Sequence, residues 1–137
     1  MSSQARSSFA MPRPAATIPT DVELAILRAL WERGPSTVRE VHDFLKKERD
    51  TGYSTTLKMI QVMTEKGLVL KDESQRPQVY RPAKQEAQTQ LQLVDDLIQR
   101  GFGGSVMKLM LSAVSAKRLA PDEIAALKDL LKQGRKP

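Results

Sequence analysis

The chain has 137 residues, 40% of them hydrophobic, enough for one compact domain or a small domain with an oligomerisation segment. Its net charge of +6 and pI near 9.8 favour anionic partners, chiefly nucleic acid or an acidic membrane surface, while 4% aromatic content argues against an aromatic ligand pocket or a single-strand stacking platform. The absence of cysteine excludes disulfides, thiol redox chemistry and zinc–thiolate sites and is compatible with a cytoplasmic location, and no run is long enough to span a bilayer, so no membrane partner is expected.

Residues 1–17, MSSQARSSFAMPRPAAT, carry Ser, Ala, Pro and Arg and no acid. They read as a flexible basic arm, lacking the apolar stretch of a secretory signal, although a transit peptide has a similar composition. Translation starts at Met1 or at Met11. Thr20 is a candidate N-cap, with Asp21 and Glu23 in the favoured first turn. The helix it opens carries Val22, Ala25, Ile26, Ala29 and Leu30 on one stripe, widened by Leu24, Leu27 and Trp31, and Gly34-Pro35 stops it. Trp31 reads as core rather than contact. Ser36 or Thr37 caps the next helix, and Thr37 with Glu40 has capping-box spacing. Its apolar side is Val38, Val41, Phe44 and Leu45, and His42 reads as an exposed helix residue with no second histidine for a metal.

A third helix runs from Tyr53 to Gly67, capped by Ser54 or Thr55 and ended by Gly67, the residue that enters the left-handed conformation most easily. Thr56, Ile60 and Met63 share its inner face. The outer face, Ser54, Thr55, Lys58, Gln61 and Val62, is rich in hydroxyl, amide and cation, with one carboxylate, Glu65, near its end. Such a face suits base edges and phosphates of a major groove. After Gly67 the period shortens: LVLKDE and QVYRP, joined by Ser74-Gln75-Arg76-Pro77, predict a β-hairpin with Pro77 and Pro82 at strand ends or an edge. Three helices and a hairpin make a winged helix-turn-helix over residues 18–82, mainly α, with the hairpin as the wing.

Residues 83–133 predict three more helices. The first is polar and then apolar, Gly101-Phe102-Gly103-Gly104 breaks it, Ser105 opens the second, and Pro121 with Asp122 and Glu123 begins the third. Their stripes hold Leu91, Val94, Leu97, Ile98, Val106, Leu109, Met110, Ile124, Leu127 and Leu130, too many apolar residues for three short helices to hide alone. Pairing of two copies solves this and gives the winged helix a two-fold axis and a palindromic site. The competing arrangement packs these helices on the winged helix of one monomer. Residues 134–137 form a basic tail.

On this surface Thr55, Lys58 and Gln61 are the candidate base readers, Gln for adenine, Lys for guanine or phosphate, and the Thr methyl for thymine. Ser54 and Thr56 are candidates for phosphate or for capping and packing. Arg39, Lys71 and Arg76 are phosphate candidates on the second helix and the wing. No catalytic constellation, phosphate loop or cofactor motif is present, so a binding function and no cofactor are expected. The alternatives are a winged helix used for protein–protein contact and an accessory subunit with an incidental basic surface.

The segments TDVELAILRALWERGPSTVREVHDFL, YSTTLKMIQVMTEKGLV, VYRP, FGGS and LAPDEIAALKDLL, in that order, resemble the BlaI/MecI (penicillinase repressor) family, which also includes copper-responsive CopY-type members. The resemblance covers residues 18–131. It implies a dimeric winged-helix repressor, paired through its C-terminal helices, on dyad operators with TGTA-like half-sites. It also implies control of β-lactamase or cell-wall-stress genes, and in some systems relief of repression by a regulatory protease. The corresponding cleavage region is Ser112-Ala113, where cleaved relatives have Asn-Phe. Leu57 and Val62 stand where such repressors carry arginine, which implies a different operator preference. The cysteine-rich tail of the copper-responsive members is absent.

Overall fold

Six helices and a two-stranded hairpin follow one another along the described residues. The computed structural model describes residues 18–134, so the expected arm, the two candidate start methionines and the last three residues of the tail lie outside the described residues. Helices α1 (Asp21–Arg33), α2 (Val38–Leu45) and α3 (Tyr53–Lys66) precede strands β1 (Val69–Asp72) and β2 (Val79–Pro82). Helices α4 (Glu86–Gly101), α5 (Val106–Ser115) and α6 (Pro121–Gly134) complete the order. The chain divides into two compact units, the first running to Leu93 and the second starting at Val94, so α4 contributes to both.

In the first unit, local chemistry sets the helix starts. Thr20 and Glu23 form a reciprocal capping box on α1, and Thr37 and Glu40 form another on α2. Each box satisfies two backbone donors that a helix start otherwise leaves open. Helix α3 differs from expectation. Its N-cap is Gly52, with extended backbone and no side-chain cap, and Ser54 and Thr55 already lie inside the first turn. An N-cap needs a non-helical backbone, which these two residues no longer have. Gly67 ends α3 in the left-handed region with φ 82°, as its position requires.

Ile26, Leu30, Val41, Ile60, Met63 and Val69 are the fully buried apolar centre of this unit, drawn from α1, α2, α3 and β1. Trp31 packs half-buried against that centre, and its indole N–H donates to the Lys84 carbonyl, which secures the chain after β2. The wing pairs antiparallel, Val69 with Pro82 and Asp72 with Val79. Ser36 adds a bridge to its other edge, exchanging backbone bonds of 3.0 and 2.8 Å with Tyr80. Ser36 is therefore a sheet residue, and Thr37 alone caps α2. One isolated residue carries no strand periodicity, so this bridge is not legible in the sequence.

The second unit opens differently. Ile98 is its one buried apolar side chain among the described residues. Val94, Leu97, Val106, Met107, Leu111, Val114, Leu130 and Leu131 are all exposed. Gly103 and Gly104 take positive φ at the break after α4, Ser105 caps α5, and Pro121 is the first residue of α6. Ala120 has no capping group, but the Glu123 carboxylate accepts its backbone N–H at 2.9 Å.

Candidate nucleic-acid interface

Two faces of α3 are sharply different. Thr56, Ile60 and Met63 are 0% exposed, whereas Ser54, Thr55, Lys58 and Gln61 are all exposed. A 14-residue helix with one face fully sunk in a core presents the other as a fixed surface. Thr56 therefore leaves the candidate contact set. Its hydroxyl is turned inward, donating to the Gly52 carbonyl at 3.3 Å and meeting His42 Nδ1 at 3.3 Å. Leu57 and Val62 are half-buried on the flanks.

Both ends of α3 are tied down. At the C-terminal end, Lys66 Nζ lies 2.7 Å from Glu23 Oε2, a carboxylate 1% exposed that also closes the α1 capping box. Burial alone pushes the Glu23 carboxyl up, but the bonds from Lys66 and Thr20 outweigh it and hold it below its usual range. At the N-terminal end, His42 on α2 is 7% exposed, contrary to its expected place on the surface. Its position on α2 faces α3, and only the packing of those two helices makes it interior. The imidazole meets the Tyr53 ring edge to face, with centroids 5.6 Å apart. The Arg39 guanidinium stacks on Tyr53, 4.3 Å from the ring centroid.

Arg39 is exposed and stands at a cleft of about 220 Å³ lined by α2, α3 and the wing. Tyr53 lines the same cleft, a place that its position at the helix start does not announce. An aromatic residue at a helix start is a weak signal, and its pairing with Arg39 depends on tertiary packing. The wing cations are exposed but partly engaged. Lys71 pairs with Glu73 at 3.2 Å, and one Arg76 nitrogen donates to the carbonyls of Glu73 and Gln75. The Asp72 carboxylate accepts from the Ser74 hydroxyl and backbone and from Gln75, which shapes the turn. Arg76 keeps further N–H donors beyond that one nitrogen, so phosphate contact stays open to it.

The candidate pairing residues fall in three classes. Leu91, Val94, Leu97, Val106 and Leu130 are exposed, Leu109, Met110, Ile124 and Leu127 are half-buried, and Ile98 is 9% exposed within its own chain. Ile98 is thus packed largely within its own chain. Ser112 and Ala113 lie inside α5, so a protease reaches that bond only after the helix opens locally. Among the described residues no group of three His, Asp or Glu side chains is placed to hold a metal, and no helix is long and apolar enough to cross a membrane.

A winged helix-turn-helix with an exposed polar, cationic face on its third helix defines a DNA-binding regulator of transcription. The penicillinase repressor family profile matches residues 19–133. Two relatives, both called transcriptional regulator BlaI, come from Mycobacterium tuberculosis strains CDC 1551 / Oshkosh and ATCC 25618 / H37Rv. Each is 35% identical over 114 residues, covering 81% of this chain and 80% of the relative. The chain belongs to the penicillinase repressor family.

Proposed function

We propose that this repressor acts as a homodimer on a palindromic operator in double-stranded DNA, with α3 of each copy in the major groove. The observation that carries the reading is the division of α3 into a fully buried face and an exposed face of Ser54, Thr55, Lys58 and Gln61. Those side chains offer donors and acceptors to base edges and phosphates. Arg39, Lys71 and Arg76 add backbone contacts from α2 and the wing. The exposed apolar residues of α4, α5 and α6 support pairing, with residues 83–133 as the dimerisation segment and 18–82 as the DNA-binding one. On this reading the protein works by binding rather than catalysis, in the cytoplasm, beside its DNA target. Release follows a cell-wall or β-lactam stress signal, with a regulatory protease acting near Ser112 and Ala113 as the route that the family suggests.

The test is selection of duplexes from a random pool by the full chain, followed by retention at rising salt. A dyad motif with retention that falls steeply with salt supports the proposal. Absence of any DNA retention at low salt would favour the winged helix as a protein-interaction module instead.

A further inference from the structure

His42 is a polar ring buried at the contact between α2 and α3, and a buried polar group is costly unless it is bonded. Among the described residues its bond goes to one place, the Thr56 hydroxyl in the first turn of α3. That hydroxyl also lies 3.3 Å from the Gly52 carbonyl, so it links the imidazole to the start of the helix. The first turn of α3 has few other anchors. Helices α1 and α2 begin with reciprocal capping boxes, but Gly52 gives α3 no side-chain cap. The backbone bond from Thr56 to Gly52, at 3.1 Å, remains. The same imidazole meets Tyr53, and Tyr53 carries Arg39 on its face.

We infer that His42 is a positioning residue for DNA recognition: it fixes the first turn of α3 and, through Tyr53, the Arg39 guanidinium, without touching DNA. The inference rests on α3 being the DNA-contacting helix. An apolar ring at residue 42 fills the same space but gives no directional bond, so the helix start gains freedom to rotate and fray. Ser54 and Thr55, the first groove-facing residues, sit in that turn and lose their aim with it. Contacts to random DNA, which need only charge near phosphates, tolerate the change.

The experiment uses the full chain, a duplex selected by the wild type from a random pool, and a random duplex of equal length. His42→Phe keeps the ring against Tyr53 and removes the bond, Thr56→Val removes the same bond from the other side together with the hydroxyl's bond to the Gly52 carbonyl, and His42→Asn keeps a hydrogen-bonding amide near the Nδ1 position. His42→Phe and Thr56→Val are each expected to weaken the selected duplex about tenfold, the size of one net hydrogen bond, while random DNA changes less than about twofold. His42→Asn is expected to recover most of the loss. Hydrogen exchange without DNA is expected to quicken at the Thr56 amide in the first two variants and to stay unchanged at Ile60. Equal losses on both duplexes would reduce His42 to a core residue and overturn the inference, as would unchanged Thr56 exchange. If the wild type selects no motif at all, the DNA reading fails, and the exchange measurement separately decides whether His42 holds the helix start.

Discussion

Lys66, the last residue of α3, is held at 2.7 Å by Glu23 in the first turn of α1. One buried carboxylate therefore caps one helix and anchors the end of another. Glu23 is 1% exposed, while the Lys66 side chain is 36% exposed, so water screens one side of the pair. Removing one partner of a buried pair costs about 3–5 kcal/mol, and partial exposure puts Glu23→Gln nearer about 2 kcal/mol. Urea unfolding of the two proteins at neutral pH checks this.

The same pair gives a pH dependence with a definite sign. The folded pKa of Glu23 is lowered, so its contribution is complete above the ordinary value of 4.5 and disappears as pH falls through the lowered one. Glu40, held down first by the Thr37 backbone N–H, and Asp72, held down first by the Ser74 hydroxyl, act in the same direction. Stability is expected to drop on acidification below that ordinary value, and Glu23→Gln is expected to flatten the drop. A variant with the wild-type acid profile would exclude Glu23 as a source of it.

The local parts of this pair were legible in the sequence and the long-range part was not. Thr20 and Thr37 announce their helices because a cap and its partner three residues on sit close together in the sequence. The buried face of α3 showed through the spacing of Thr56, Ile60 and Met63. Lys66, in contrast, looks like any solvated cation at a helix end until α1 is packed beside it. The burial of His42, the Arg39–Tyr53 stack and the Ser36–Tyr80 bridge share that origin: each joins elements that the sequence lists separately. Ile98 differs from its neighbours on the α4 stripe because its own chain folds over it, which an apolar pattern does not reveal.

Arg76 spends one nitrogen on the carbonyls of the wing tip and leaves others free. Arg76→Ala is expected to weaken binding to all duplexes alike and to lower the salt slope by about one unit, the signature of a single phosphate contact. Affinity measured against salt for a selected and a random duplex reads it. An unchanged slope would remove Arg76 from the footprint.

Gln61 is exposed at the middle of the α3 outer face. A side-chain amide that reads adenine carries about 1–3 kcal/mol of discrimination at one base pair. Gln61→Ala is expected to relax one position of the selected motif in each half-site while random DNA is held as before. Recovery of the same motif by both proteins would mean that Gln61 reads no base.

Leu130 is 62% exposed on α6, so a charge placed there disturbs its own chain less than one at half-buried Leu109. Burying one leucine is worth roughly 1.5–3 kcal/mol, and an aspartate reverses that gain across an apolar pairing surface. Leu130→Asp is expected to sediment as a monomer, to keep its helical signal, and to bind the palindrome about 10²-fold more weakly as two linked contacts become one. A variant that stays dimeric would move the pairing surface away from α6.

Chemical protection of guanine N7 on a selected duplex tests most directly whether α3 enters the major groove as one of a symmetric pair. N7 faces the major groove, and methylation there needs an open groove. Two dyad-related patches of protection are expected, about one helical turn apart or a multiple of it, on one side of the duplex. Protection confined to the minor groove, or a single patch at saturating protein, would contradict paired third helices in the major groove.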